Sequence, residues 1–215
     1  MLYVVTCTLG KVRIEHEISV AHTLWPMAKM AYHEAIIGLS IDDARNTAFT
    51  TAVDQDYEYV MFWDDDIISR DKNVIKLIVS AMDQNPEIDI LGGVYPRRSE
   101  FPEPIVCEVE GGGSWWGWED GKLHKVWMTG TGFTVYRTGS LSRLVYETDK
   151  YKIEQTNKLV WPFFSTSPEE SDDFNFADKC REDGLNWYVH GGVVCEQIDL
   201  ESGHRFRVEG ARVRI

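Results

Sequence analysis

Apolar residues in the first half of the chain alternate between short solid runs and helix-spaced stripes. Leu2 to Cys7 is an almost unbroken apolar run, as expected of a strand covered on both faces, and Tyr57 to Trp63 is a second one rich in β-branched and aromatic residues. Between them, Ile41, Ala44, Ala48, Ala52 and Val53 fall on one side of a helix, with Asp42 or Asp43 placed to cap it. Val74, Ile75, Leu77, Ile78 and Ala81 repeat the helical spacing over Asn73 to Met82. Asn85-Pro86 breaks it, and Ile88 to Val94 reads as the next strand. Strand, helix and strand in this order predict a mostly parallel sheet flanked by helices. The stretch from Ile14 to Leu39 mixes helix formers with aromatics and yields no clear element.

Beyond Pro96 the pattern turns irregular and more β-like, with a glycine- and tryptophan-rich loop from Gly111 to Trp118. One further helix is expected over Asp172 to Gly184, with Phe176, Ala177 and Cys180 inward and Gly184 as its stop. Its 215 residues are read as one domain, with a first half over 1–95 and a second, β-rich half over 96–215.

Composition narrows the chemistry. A net charge of -13 argues against a nucleic-acid partner, which would require a basic surface. Cys7, Cys107, Cys180 and Cys195 have neither zinc-site nor disulfide-framework spacing and read as reduced, mostly buried thiols. No apolar run approaches the ~18 residues of a membrane span, and Met1 to Gly10 lacks a basic leader, so a cytoplasmic protein is expected.

The sharpest chemical signal is Asp64-Asp65-Asp66, three carboxylates at the end of an apolar strand. Ligand crevices in α/β sheets lie at that edge, and closely packed acids call for a cation. If the strand stays extended, Asp64 and Asp66 share a face and Asp65 points away. Hard oxygen donors suit Mn²⁺ or Mg²⁺ and a ligand rich in phosphate oxygens. A solvated acidic turn before the next helix would show the same residues.

Five segments in order, Ala44-Arg45-Asn46, Phe62 to Asp66, Gly92 to Tyr95, Thr129 to Phe133 and Ser171 to Phe176, resemble the nucleotide-sugar glycosyltransferases of the A-type, Rossmann-like fold. Short stand-alone members of the large inverting family in bacteria and viruses are the nearest likeness. The resemblance implies an α/β fold with a mostly parallel central sheet and a smaller β-rich acceptor half. It implies metal-dependent transfer of a sugar from a nucleoside-diphosphate donor to a hydroxyl of a glycan or other acceptor, with inversion.

The same resemblance assigns the cation to Asp66, with Asp64 on it or on the ribose, and makes Asp173 the general base beside Asp172. Donor contacts fall on Thr6, Thr8, Arg45, Asp64, Asp65, Arg97 and Gly130, and Arg98 beside Arg97 is placed to contact diphosphate or acceptor as well. Where the family places a further histidine ligand this chain has Gln197, so Gln197 or His204 would complete the metal site. Cations in Ser202 to Ile215, among them Arg205, Arg207, Arg212 and Arg214, would then close over the diphosphate. Trp115, Trp116 and Trp118 are a candidate sugar platform, and His190 reads as structural. Three alternatives stay open: a retaining transferase of the same fold, a nucleotidyltransferase, and a carbohydrate-binding protein without activity.

Overall fold

The computed structural model describes residues 1–26, 29–145, 148–167 and 171–208. Its first half runs β1 (Leu2–Thr8), α1 (Ile14–His22), β2 (Ala31–Ile37), α2 (Ile41–Asp54), β3 (Tyr59–Trp63), β4 (Ile67–Ile68), α3 (Val74–Gln84) and β5 (Ile90–Val94). The second half adds β6 (Val106–Cys107), β7 (Leu123–Lys125), β8 (Met128–Thr129), β9 (Phe133–Arg137), α4 (Thr138–Leu141) and a 3₁₀ turn at Ser142–Val145. Then follow β10 (Tyr151–Lys152), β11 (Leu159–Val160), α5 (Asp172–Glu182), β12 (Trp187–Val194), β13 (Glu196–Ile198) and β14 (Arg205–Phe206).

Seven strands form the central sheet in the order β2-β1-β3-β9-β5-β12-β7. β1, β2, β3, β5 and β12 run one way, while β9 and β7 run against their neighbours. The result is a mixed α/β fold with a mostly parallel sheet. β13 joins β4 and β14 in a small antiparallel sheet beside it.

Side-chain alternation along the strands builds two cores. Tyr3, Val5 and Cys7 of β1 and Val60 and Phe62 of β3 face α2 and α5; Leu2, Val4, Tyr59, Met61 and Trp63 face α1 and α3. Burial on both faces explains why β1 and β3 read as solid apolar runs. The α2 stripe is wider than its alanines suggest. Phe49 is fully buried and packs its ring at 4.8–5.6 Å from Phe62, Tyr136, Phe163, Phe164 and Phe176, whereas Ile41 is 40% exposed.

Two local expectations change. Ser40, not Asp42 or Asp43, caps α2 by accepting from the Asp43 amide at 3.2 Å. The stretch between Ile14 and Leu39 holds α1 and β2; β2 is an edge strand with only Ile36 buried, so it lacks the alternation that betrays a strand. α5 begins at Asp172 and ends before Gly184, whose φ of +71° suits glycine after a helix. Cys7, Cys180 and Cys195 are buried free thiols, and Cys107 is half-buried.

Candidate functional site

Both β1 and β3 stop at the same sheet edge, where the chain turns away and leaves a cleft of ≈ 790 Å³. Thr8 comes from the end of β1, Asp64, Asp65 and Asp66 from the end of β3, and Arg45 from the first turns of α2. Asp172 and Asp173 open α5 on the opposite wall. A larger groove of ≈ 1110 Å³ lies between α3 and the β7–β12 edge, but it gathers no set of paired carboxylates. The clustered carboxylates lie in the smaller cleft.

Arg45 organises the cleft. Its guanidinium is almost wholly buried and donates Nη2 to Asp64 at 2.9 Å and Nη1 to Asp173 at 2.9 Å and to Asp172. The faces of Phe62 and Phe164 lie 5.5 and 5.6 Å from it. Asp173 also accepts from the Thr131 hydroxyl. One cation thus joins residues from α2, β3 and α5.

The acids are held against their preference. Burial pushes the Asp64 carboxyl up to about 7; Arg45 pulls it down, while Asp66, Asp173 and Asp65 push it further up. Burial likewise raises Asp65, Asp66 and Asp172. Asp66 accepts from Gln197 Nε2 at 2.9 Å and pairs with Arg98 at 3.3 Å, and Asp65 accepts from Thr8. Two hard oxygens, Asp64 Oδ1 and Gln197 Oε1, are buried without a hydrogen-bond partner.

The orphaned Asp64 Oδ1, which comes from a residue lining the cleft, fits a divalent cation, which takes oxygen ligands of this kind. Among the described residues no three His, Cys, Asp or Glu side chains gather closely enough to cage a metal. A cation here would share its coordination with phosphate oxygens of a ligand and with water, as Mg²⁺ commonly does.

The alternation argument for the acids fails for a physical reason. β3 ends at Trp63, and a turn follows in which the Ile67 amide donates to Asp64 O at 3.0 Å. All three aspartates therefore line the cleft, including Asp65. Thr6 sits behind the wall, its hydroxyl donating to Trp63 O at 2.9 Å. Arg97 turns out of the cleft and its neighbour Arg98 turns in.

Gly130 faces not the cleft but Tyr95, whose hydroxyl would stand 2.1 Å from an added Cβ. Gly132 is closer to the chemistry, because a Cβ there would lie 2.8 Å from Asp64 Oδ2. Its amide donates to the Tyr95 hydroxyl at 2.9 Å.

Gln197 stands behind Asp66 rather than on the cleft surface, and His204 packs edge-on against Phe206 away from it. Arg205 and Arg207 do not reach over the cleft. Both pair with the buried Glu196, at 3.8 and 2.8 Å. Arg212 and Arg214 lie outside the described residues. Trp116 and Trp118 stack on each other at 5.9 Å, Trp115 packs on the core, and none of the three lines the cleft. His190 accepts from the Gly192 amide within β12.

Lys11 and Asp199 were missed and line the cleft together with Arg98. Asp199 has a legible signal, an acid directly after the apolar end of a strand, as with Asp64. Its Oδ1 accepts from the Glu201 and Ser202 amides, which hold its carboxyl below the usual range.

No family model matches this chain, and no curated protein matches it in sequence. Its structure is similar to that of A197 from STIV, with a TM-score of 0.61, 17% identity, and coverage of 100% of this chain and 98% of that one. At that identity the likeness establishes a shared α/β fold over the whole chain. No helix among the described residues is long and apolar enough to cross a membrane.

Proposed function

We propose that the cleft binds a nucleoside-diphosphate sugar together with Mn²⁺ or Mg²⁺ and transfers the sugar to a hydroxyl acceptor. The observation that carries this reading is the convergence of Asp64, Asp172 and Asp173 on one buried guanidinium in a cleft that Asp65 and Asp66 also line, with Asp64 Oδ1 left unpartnered. Such a set is costly unless a cation joins it, and an overall charge of -13 does not disfavour a diphosphate that arrives with its metal. The ordered motifs that resemble A-type glycosyltransferases add direction to that chemistry, and the α/β fold is compatible with theirs.

In this reading Asp64 and Asp66 would hold the cation, and the bound cation would supply charge stabilisation to the departing diphosphate. Lys11 and Arg98 add positive charge on the same wall. Leu9, Leu39 and Ile41 give an apolar rim against which a nucleobase can pack. Asp173 is the acid positioned by two donors, Arg45 and Thr131, and would take the acceptor hydroxyl's proton through its second oxygen in a single displacement with inversion.

Thermal stabilisation and calorimetry with a panel of nucleotide sugars, with and without Mn²⁺, test the binding step. NMR of the product's anomeric configuration separates inversion from retention. Absence of metal-dependent binding to every donor would refute the reading. Arg45 already occupies Asp173, which favours a second reading, a sugar-nucleotide-binding protein without transfer. Metal-dependent binding with no turnover would support it.

A further inference from the structure

The two edges of the central sheet are not alike. At one edge, β7 has only three residues, carries Lys125 and follows Lys122, which are devices that blunt an edge against further pairing. At the other, β2 runs for seven residues with no proline, lysine or arginine, and no described strand pairs with its outer side.

The ladder fixes which groups that edge offers. The Leu2 amide donates to Met30 O and the Gly38 amide donates to Thr8 O, so even-numbered residues from Met30 to Gly38 turn their backbone groups toward β1. Ala31, His33, Ala35 and Ile37 turn theirs outward. Apolar side chains on and just before this strand are exposed: Met30 at 78%, Tyr32 at 52% and Ile37 at 64%.

A lipid surface cannot satisfy a row of open N–H and C=O groups, and water alone leaves the apolar flanks uncovered. Another strand satisfies both. We propose that β2 pairs antiparallel with β2 of a second copy of this chain about a twofold axis, joining two seven-stranded sheets into one.

A twofold pair must set one residue against itself. An axis through Glu34 would oppose two carboxylates. An axis through His33 instead sets Ala31 against the partner's Ala35 and Tyr32 against the partner's Glu34, and the tyrosine and carboxylate can hydrogen-bond. β2 carries no charge besides Glu34, which accepts from the Tyr3 hydroxyl at 2.5 Å, and His33, so the net charge of -13 is kept away from the seam. The pairing needs neither the metal nor the sugar chemistry of the cleft.

Sedimentation velocity of the full chain over a concentration series tests this. The wild type is expected near twice 24.7 kDa. Ala35→Pro removes an outward donor without touching the β1 ladder, and Ile37→Lys places a charge on the seam; each is expected to raise the dimer dissociation constant about tenfold or more. Leu159→Lys, an exposed residue on the second half of the chain, should leave the dimer unchanged. Near-UV circular dichroism confirms that each variant is folded, and Ile37→Lys decides the matter if Ala35→Pro is not. A wild type that stays at 24.7 kDa, an Ile37→Lys variant that stays dimeric, or open-ended growth with concentration would each overturn the proposal.

Discussion

Replacing Asp64 with asparagine should make the metal-free protein more stable while removing its response to a cation. Asp64 is 19% exposed, lies 2.9 Å from Arg45, and has its carboxyl pushed from 3.8 up to about 7. Below 3.8 it is protonated in the folded and unfolded chains alike. As pH rises from 3.8 to about 7 the unfolded chain loses this proton first, so stability falls across that window and is level above it. A shift of about 3 units at 1.36 kcal/mol each sets a ceiling of about 4 kcal/mol, and relaxation around the cleft brings the expected gain to about 1–4 kcal/mol. Loss of the ion pair does not strand Arg45, which keeps Asp172 and Asp173 on Nη1.

Urea unfolding in the presence of a chelator, at a pH near 4 and again near 8, reads the effect. Asp64→Asn should match the wild type at the lower pH and exceed it at the higher one. Added Mn²⁺ with a nucleoside diphosphate should then stabilise the wild type and leave the variant unchanged. A variant clearly less stable than the wild type at the higher pH would mean that the Arg45 pair outweighs the cost of burial, and the electrostatic argument for a cation would fail.

Gly132→Ala puts a methyl 2.8 Å from Asp64 Oδ2, so cation-dependent nucleotide affinity should fall about tenfold or more by calorimetry while the fold persists. Asp173→Asn should retain nucleotide binding and lower transfer about a hundredfold or more in a product assay, and near wild-type transfer would remove Asp173 as the base. Phe49→Ala opens the aromatic cluster between α2, β3 and α5 and should cost about 3–5 kcal/mol in urea unfolding. Ser40→Ala removes the α2 cap and should cost about 1 kcal/mol in the same measurement.

How much of this was legible depended on whether a signal was local. β1, β3, α2, α3 and α5 announce themselves because burial on one side or both imprints the sequence directly. β2 does not, because an edge strand that buries only Ile36 leaves no alternation. Asp64 to Asp66 and Asp172-Asp173 were readable as acids at element ends. Their meeting on Arg45 was not, since it spans 127 residues of chain between Arg45 and Asp172. Telling Arg98, which enters the cleft, from Arg97, which does not, and seeing that Asp65 lines the cleft too, required the turn geometry beyond each strand, which composition does not encode. Asp199 follows a strand that the sequence pattern does not resolve, two residues past Gln197, where the resemblance implies a histidine rather than an acid.

The reversed strand β9 has a consequence for how the chain comes off the ribosome. β3 and β5 are both made within the first 94 residues, yet they do not touch; β9, completed only at Arg137, lies between them and pairs with each. Until then Val60, Phe62 and Leu91 belong to two unfinished strand edges, a sticky intermediate open to wrong pairing or chaperone capture. Because β9 enters against its neighbours, its first residue sits beside the last residue of β3, Phe133 opposite Trp63, and so delivers Thr131 and Gly132 to the aspartates in the act of closing the sheet. The gap between β3 and β5 and the cleft floor therefore close together, and a chain cut after residue 95 would keep its acid triplet and lack both.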